Sequence, residues 1–332
     1  MKSVKVKFVG MWDGIRPEYD LICQCLMKNG YDVQVSENPD YIICSILGET
    51  QYDYCKYPQI RIFECGENFI PDFNLVDYAV CSYPISFFDR NFYLPFCINP
   101  VDHWHALAEK ERSYDPEFLE KKEYFANLIF SHDSEHGERS EIFRKLNAYK
   151  RVEAPGPLMN NRTEGNGVRW SDGSKADFQR KCKFTVCFES TVDNGFITEK
   201  ITDAFFADTI PIYLGSPTVT DIFNRNAFLN AADFDSMDEL VERVKELDQD
   251  DEQYLEMMRQ PIFVDSAFPN NLDEALEKYI LHIFEQPYEK AYRRCRVYHP
   301  AIHNDFLADA IEPSLGHRLK QHVKKIIKKT TI

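Results

Sequence analysis

The sequence contains no apolar run of eighteen residues, and its basic start, MKSVKVKFVGMW, leads into an apolar stretch that is short and interrupted. A membrane span or a signal peptide needs a longer run, so we expect a protein of the cytoplasm or of the inner face of the cytoplasmic membrane. Basic residues are also scarce: 39 Lys and Arg stand against 54 Asp and Glu, a net charge of −15. Because nucleic-acid binding needs clustered cations, we expect no nucleic-acid partner.

A glycine-rich Gly-x-Gly-x-x-Gly turn is also missing, and the first strand-like segment leads instead into MWDGIRP. This disfavours a dehydrogenase or a methyltransferase, because their α/β domains bind the cofactor at such a turn. Most of the ten cysteines lie in apolar runs such as YIICSIL and FTVCFE, where they act as small buried hydrophobes and not as a disulfide framework. Cys23 and Cys25 have no second pair at zinc spacing, so we expect no zinc site.

What the chain does contain is an alternation of short apolar strands and helical segments, typical of an α/β fold. Its 332 residues suit two domains. A stretch rich in Gly, Asn, Ser and Pro, PGPLMNNRTEGNGVRWSDGSK, interrupts the pattern and predicts the boundary. We therefore predict an α/β domain over 1–155, a second over 156–305 and a helical, basic tail over 306–332. The predicted strands are Val4–Val9, Asp32–Val35, Tyr41–Ile46, Ile60–Glu64, Val76–Cys81, Phe125–Ser131, Phe184–Phe188 and Ile210–Leu214.

The tail reverses the acidity of the rest of the chain. RLKQHVKKIIKK carries six Lys or Arg and no acid, and its Leu and Val and Ile residues fall on one helical face. Residues 318–332 could lie on an anionic membrane surface, or they could be a solvated tail packed on the domain. The pattern does not decide between the two.

The segment that most clearly indicates a ligand-binding site is FESTVDNGFITEKITDAFFADTIPIYLGSP, residues 188–217. A strand ends at Glu189, a polar loop follows, and Thr198 is a plausible N-cap of the next helix. In open α/β sheets, ligands bind beyond the carboxyl ends of strands. A helix start there offers backbone N–H groups and a partial positive charge suited to a diphosphate, Lys200 adds a full charge, and Glu199 could accept hydrogen bonds from a ribose. Spacing alone favours a capped surface helix with an ordinary Glu–Lys pair, because Thr-Glu-Lys is a common sequence.

This segment resembles the donor-binding signature of glycosyltransferase family 10, the α-1,3/4-fucosyltransferases, and most of all its bacterial branch. The family pattern of F-E-N-S, then Y-V-T-E-K, then a strand ending P-I-x-x-G-x-P is similar to Phe188–Thr191, Phe196–Lys200 and Pro211–Pro217. The resemblance implies that Glu189, Ser190, Asn194, Phe196 and the Thr-Glu-Lys helix start bind the donor.

Three departures from the family pattern change what the donor site can offer. Ser190 stands where the family has Asn, and Phe196 stands for Tyr, which loses a hydroxyl but keeps a ring for stacking. Relatives supply an arginine to the diphosphate from the interdomain loop. Here that register holds Met159, and the resemblance implies Arg162, three residues on, as the substitute.

A second likeness lies in the first half, where Cys65-Gly-Glu-Asn68 is followed by Pro71-Asp-Phe-Asn-Leu-Val-Asp-Tyr-Ala79. The stretch is similar to one in the bacterial enzymes, in which the glutamate after the glycine is the proposed catalytic base. This resemblance implies that Glu67 is the base. Without it, Glu67 would be read as an ordinary turn residue.

Together these resemblances imply the GT-B architecture, two facing Rossmann-like domains with a central cleft. They imply inverting transfer of L-fucose from GDP-β-L-fucose to the 3-hydroxyl of GlcNAc or Glc in a glycan acceptor such as N-acetyllactosamine. We expect no required metal, with stimulation by Mn²⁺ or Mg²⁺ left open, because Asp233-Phe-Asp235 and His103-x-His105 fit helix starts better than ligand sets. Another nucleotide sugar and a non-catalytic glycan-binding protein remain alternatives, and the acceptor, α-1,3 or α-1,4 preference and oligomeric state remain undecided.

Overall fold

The computed structural model of the chain describes residues 2–12, 14–47, 52–95, 101–162 and 173–310. Its helices are α1 Leu21–Lys28, α2 Val101–Ala108, α3 Pro116–Leu119, α4 Glu138–Tyr149, α5 Ser174–Arg180, α6 Glu199–Phe206, α7 Met237–Gln249, α8 Asp251–Arg259, α9 Phe268–Glu285, α10 Tyr288–Ala291 and α11 His299–Ala310. The described residues form two compact units.

The first unit contains the chain up to Cys81, Ile85–Tyr93 and the described residues from Glu274 onward. Its six strands pair in parallel in the order β2-β1-β3-β4-β5-β6. The central strands are buried along nearly their whole length, as expected for a parallel sheet that is covered on both faces. The strands are β1 Lys2–Val9, β2 Tyr31–Val35, β3 Tyr41–Cys44, β4 Ile60–Cys65, β5 Tyr78–Cys81 and β6 Asn91–Tyr93.

The second unit contains Ser82–Pro84 and the described part of Leu94–Asp273. Its five strands are also parallel, in the order β11-β10-β9-β7-β8. The core combines the strands with the inward faces of α4, α7 and α8. The strands are β7 Tyr124–Asn127, β8 Val152–Glu153, β9 Cys182–Phe188, β10 Ile210–Leu214 and β11 Leu229–Asn230. The predicted α/β fold with two Rossmann-like sheets is therefore confirmed.

The division between the units differs from the predicted boundary at residue 155. Strands β7 and β8 precede that residue but belong to the second sheet, because β7 pairs with β9 through Ala126 and Phe184. The chain passes between units near Tyr93 and again near Asp273, and the second passage lies inside helix α9. The Gly- and Asn-rich stretch that predicted a domain boundary instead lies between β8 and α5, which belong to the same unit.

Among the described residues, no helix is both long enough and apolar enough to cross a membrane. The nine cysteines of the described part are free thiols, and seven of them are buried. The basic segment 318–332, for which the sequence left a membrane-surface helix and a packed tail open, lies outside the described residues.

Candidate active site

Loops that follow four neighbouring strands meet at the carboxyl edge of the second sheet. Parallel strands end at the same edge, and here the chain leaves β7 into residues 129–131, β8 into 155–157, β9 at Glu189 and β10 at Gly215. A pocket of about 460 Å³ opens beside the first two of these loops. It is lined by Ile129, Phe130, Ser131, Pro155, Gly156, Pro157 and Asn160.

A buried ionic cluster lies at the end of β9. Both carboxylate oxygens of Glu189 accept hydrogen bonds from the Thr198 hydroxyl at 2.9 Å, and one also accepts from the Thr198 backbone N–H at 2.8 Å. Lys200 Nζ lies 2.9 Å from Glu189 Oε2 and 2.7 Å from Thr198 Oγ1. An ammonium group has three protons, so these two contacts leave one for a ligand.

The pKa values of Glu189 and Lys200 depend on each other and on the neighbouring Glu199. Burial raises the pKa of Glu189, and the neighbouring Lys200 ammonium opposes that rise. Burial acts to lower the pKa of Lys200, but the carboxylates of Glu189 and Glu199 outweigh it, so the pKa of Lys200 is raised. Lys200 therefore remains a cation at neutral pH, in a site where a diphosphate would need one.

Thr198 occupies the predicted N-cap position of α6, but its side chain makes no capping hydrogen bond to the helix. Its hydroxyl is engaged with Glu189 and Lys200 instead. The N–H groups of the first turn of α6 therefore lack a side-chain cap and, with the helix dipole, suit an anion.

The loop between β9 and α6 is fixed to the loop after β10. Gly195 N–H donates to Ser216 Oγ at 2.8 Å, and Ser216 N–H donates to Tyr213 Oη at 3.0 Å. Gly195 has a φ of +83°, which glycine adopts without strain. The predicted convergence of these two loops with Glu189 and the start of α6 is thus present in the described structure.

The other residues of the family motif in this region differ in their exposure to solvent. Ser190 and Asn194 are exposed, so their side chains are accessible to a ligand. Phe196 is only 3 % exposed and belongs to the core, so its ring does not form the open stacking surface that the sequence suggested. Glu199 is the first residue of α6 and lies 3.8 Å from Lys200 Nζ.

Arg162, the predicted partner of the diphosphate, lies elsewhere. Its guanidinium pairs with Glu153 at 3.0 Å and lies over the rings of Tyr124 and Phe178. In the sheet register Glu153 lies level with Thr185 of β9, four residues before Glu189, so this contact is not at the edge where Glu189 lies. The assignment of Arg162 is corrected because Glu153, a buried carboxylate, already holds it.

Arg139, which no sequence motif marks, supports the end of β9. It is 5 % exposed, donates from Nε and Nη2 to the carbonyl of Phe188 at 3.0 and 2.7 Å, and lies 4.1 Å from the centre of the Phe130 ring. Arg139 therefore fixes the end of β9 immediately before Glu189. Nothing in the sequence around it distinguishes it from an ordinary helical arginine.

Glu67, the predicted base, follows the carboxyl end of β4 in the first unit. Its side chain is exposed, and its backbone carbonyl accepts a hydrogen bond from Phe69 N–H at 2.7 Å in a tight turn. A carboxylate at the carboxyl edge of a parallel sheet is well placed to meet a ligand of that unit.

Two neighbouring acids, Asp20 and Glu64, are associated with the strand that leads into this turn. Asp20, which caps α1 through Cys23 N–H at 2.8 Å, lies against Glu64 of β4. Burial raises the pKa of both carboxyl groups, and the proximity of Asp20 raises the pKa of Glu64 further. The two acids therefore share protons that the unfolded chain would release at lower pH.

We expect this pair to make the protein less stable as pH rises. An acid whose pKa is raised in the folded state contributes stability below its ordinary pKa, near 4.5 for Glu64, and that stability is lost as pH rises toward the folded value. In Glu64→Gln the melting temperature should fall less between pH 5 and pH 8 than in the wild type, by at least about 2 °C. Thermal unfolding across this range measures the difference, and parallel curves for the two proteins would contradict it.

The acidic and histidine motifs considered as metal ligands have other contacts. Asp233 pairs with Arg225 at 2.6 Å, Ser236 caps α7 through Glu239 N–H, and His105 contacts Asp273 at 2.6 Å. The described residues contain no cluster of three or more His, Cys, Asp or Glu that could hold a metal ion.

The fold and the site define a two-unit α/β protein with a helix start that lacks a side-chain cap at the carboxyl edge of its second sheet. The family model "Glycosyltransferase family 10 (fucosyltransferase) C-term" matches residues 119–260, and the model "Alpha-(1,3)-fucosyltransferase FucT N-terminal domain" matches residues 6–99. The chain belongs to glycosyltransferase family 10.

Individual relatives agree with this assignment. An "Alpha-(1,3)-fucosyltransferase FucT" of Helicobacter pylori is 28 % identical over 290 residues, which cover 77 % of this chain and 59 % of that relative. A crystal structure of an α1,3-fucosyltransferase is similar with a TM-score of 0.71 and 26 % identity, over 90 % of this chain and 93 % of that one. A second crystal structure, of an α1,3-fucosyltransferase with GDP-fucose, shares the fold with a TM-score of 0.66 and 23 % identity, over 84 % and 91 %.

Proposed function

We propose that the protein is an α-1,3-fucosyltransferase that transfers L-fucose from GDP-β-L-fucose to the 3-hydroxyl of GlcNAc or Glc in a glycan such as N-acetyllactosamine, with inversion at the anomeric carbon. The main support is the Glu189–Thr198–Lys200 cluster at the uncapped start of α6, in a chain of this family. The similar proteins are α-1,3-fucosyltransferases, and one of them was crystallised with GDP-fucose.

The donor diphosphate would bind at the start of α6. The free proton of Lys200 and the first-turn N–H groups would hold the phosphate oxygens, and Glu199 would accept hydrogen bonds from the ribose. The pocket beside β7 and β8, of about 460 Å³, has room for the nucleoside at the same edge of the sheet. Glu189 has its oxygens filled by Thr198 and Lys200, so it acts as a positioning residue.

The reaction would be a single displacement. The acceptor 3-oxygen forms a bond to the anomeric carbon while the bond from that carbon to the β-phosphate oxygen breaks, and its electron pair leaves with GDP. Glu67 takes the proton of the acceptor hydroxyl, which is a poor nucleophile until that proton is removed. Lys200 and the start of α6 stabilise the negative charge that grows on GDP, a type of contact worth roughly 3 kcal/mol of barrier.

A transfer assay tests this proposal. Purified protein is given GDP-fucose with lactose, N-acetyllactosamine or its β-1,3-linked isomer, and the linkage of the product is read by NMR. We expect α-1,3-linked product without added metal, and parallel reactions with EDTA, Mn²⁺ or Mg²⁺ measure any stimulation. No fucosylated product with any acceptor, or turnover of UDP- or ADP-sugars in preference to GDP-fucose, would refute the proposal.

Two other functions compete with this one and predict different results. A family member that uses another nucleotide sugar would bind that nucleotide more tightly than GDP in a fluorimetric titration. A non-catalytic glycan-binding protein would retain glycan binding after Lys200 and Glu67 are both replaced by Ala. The proposed transferase would instead lose product formation in that double variant.

Gly215 gives a further test, because a side chain there would strike the cluster. A Cβ on Gly215 would lie 2.6 Å from Glu189 Cγ and would also overlap Tyr213 Oη. Gly215→Ala should displace Glu189 from Lys200 and cost roughly 1–3 kcal/mol of stability. We expect GDP affinity, measured by titration calorimetry, to fall at least about tenfold.

Gly173→Ala is the matched control for Gly215→Ala. A Cβ at Gly173 meets no atom within 4 Å, and its φ of +78° makes the change costly only through backbone strain. This control should lose stability but retain GDP binding. Unchanged GDP binding in Gly215→Ala would show that the Glu189 position does not matter.

We also propose that residues 318–332, which lie outside the described residues, bring the protein to the inner face of the cytoplasmic membrane. Their six basic residues and apolar stripe suit an anionic surface. Deleting 318–332 should lower recovery in the membrane fraction and leave activity on soluble acceptors unchanged. Equal partitioning of the two proteins would dispose of this proposal.

A further inference from the structure

A pocket of about 410 Å³ in the first unit collects positive charge in a chain whose net charge is −15. Pro58 and Arg61 flank the start of β4, so the pocket lies at the amino edge of the sheet, away from Glu67 at the carboxyl edge. Its lining includes Lys56, Arg61, Tyr292, Arg294, Arg296 and Asn304.

Two of these arginines are buried. Arg61 is 2 % exposed and Arg294 is 7 % exposed. One carboxylate, the fully buried Asp77, lies beneath them: it accepts from Arg294 Nε at 2.8 Å and from the backbone N–H groups of Arg61, Arg293 and Arg294. Burial, and then the charge of Arg294, lower the pKa of Arg61 to about 10. Asp77 is thus the counter-ion of Arg294, whereas the Arg61 guanidinium lies buried nearby and Arg61 reaches Asp77 only through its backbone N–H.

The two arginines differ in the donors that they leave for a ligand. All three guanidinium nitrogens of Arg61 are engaged, with four carbonyl or amide oxygens that include Tyr57 O and Asn304 Oδ1. Arg294 uses Nε on Asp77 and Nη2 on the carbonyls of residues 58 and 59. Within the described ranges no hydrogen bond is formed by Arg294 Nη1, and this side chain lines the pocket.

Two more features of the pocket favour a negative ligand. Arg296 is exposed and stacks on the Tyr292 ring, 3.4 Å from its centre, which holds the guanidinium beside the opening. Ala301, in the first turn of α11, lines the pocket with Asn304 and Asp305 of the same helix face, so the pocket lies along the side of the helix near its positive end. Lys56 is paired with Asp53 at 2.9 Å, and Asp305 is an acid in the lining, so the attraction rests mainly on the arginines.

We propose that this pocket is a binding site for a phosphate group, seated between Arg294 and Arg296. Guanidinium groups bind phosphate through paired N–H donors, and a buried cation makes such bonds stronger than an exposed one does. The phosphate belongs either to a small soluble molecule or to a phospholipid headgroup. The exposed side chains of Tyr298, just before α11, and of Ile302 and Phe306 on α11 are spaced four residues apart and would lie in the lipid in the second case.

The first experiment uses inorganic phosphate and the full chain. Thermal unfolding is followed in phosphate and in chloride of equal ionic strength. Every sample contains saturating GDP, so that phosphate cannot raise the melting temperature by binding at the proposed donor site. We compare the wild type, Arg296→Gln and Arg225→Gln, an exposed arginine of the second unit that serves as the charge control. Phosphate should raise the melting temperature of the wild type and of Arg225→Gln by roughly 2–4 °C, and that of Arg296→Gln by less than half as much.

The second experiment separates the two sources of phosphate. The same three proteins are sedimented with vesicles of phosphatidylcholine alone or of equal parts phosphatidylcholine and phosphatidylglycerol. A headgroup site predicts that Arg296→Gln binds the mixed vesicles at least about threefold less than Arg225→Gln does, with the tail unchanged in both. A site for a soluble phosphate predicts a difference in the first experiment only. Equal behaviour of Arg296→Gln and Arg225→Gln in both experiments would overturn the proposal.

Discussion

Lys200→Ala should reduce GDP affinity by roughly tenfold to a hundredfold and transfer from GDP-fucose by about a hundredfold to a thousandfold. The reason is the position of the ammonium group, 2.9 Å from Glu189 and beside the uncapped start of α6, where it supplies the only full positive charge of the cluster. Titration calorimetry with GDP and initial rates of transfer measure the two losses. Wild-type turnover in this variant would refute the assignment of Lys200.

A control is needed because Lys200 also neutralises a buried acid. Removing it leaves the Glu189 carboxylate, which has no exposed side-chain surface, without its counter-ion, a change that typically costs about 3–5 kcal/mol. The double variant Lys200→Met with Glu189→Gln removes both charges and should recover most of the stability. It should not recover GDP binding. Recovery of both would mean that Lys200 acts through folding alone.

Glu67→Gln should abolish most transfer, by about a hundredfold to ten-thousandfold, while GDP affinity remains that of the wild type. The amide keeps the size of the side chain but cannot accept the proton of the acceptor hydroxyl. Since Glu67 is exposed in a turn, the replacement should leave the melting temperature almost unchanged. Steady-state rates, calorimetry and thermal unfolding of the same preparation measure the three quantities.

The pH profile distinguishes a base from a residue that only contacts the acceptor. In the wild type, the rate should fall at low pH as the base becomes protonated, and in Glu67→Gln this acid limb should disappear. Glu67→Asp should retain the limb with a lower plateau, because a shorter carboxylate is still a base. If Glu67→Gln transfers fucose at the wild-type rate, another group removes the proton.

The local parts of this fold were predictable from sequence. Continuously apolar segments such as those of β3 and β5 are typical of buried parallel strands, and the structure contains both. The strand–loop–helix order of residues 188–206 brought Glu189, Thr198 and Lys200 together as predicted, because a parallel sheet exposes its carboxyl end to one ligand site.

The contacts that sequence did not predict are long-range contacts. Arg294 pairs with Asp77, 217 residues away, and no local pattern marks either residue as part of a buried pair. Arg139 supports the end of β9 across 49 residues in the same way. The domain boundary was misplaced because a polar loop is a local signal, whereas membership of a sheet is decided by which strand finds which partner.

A crystal structure of the protein with GDP would show whether a nucleotide diphosphate binds at the start of α6. We expect both phosphates at the first turn of that helix, with one oxygen in hydrogen-bond contact with Lys200 Nζ while Glu189 retains its bonds to Thr198. A diphosphate bound anywhere else, with Lys200 contacting only Glu189 and Thr198, would contradict this expectation.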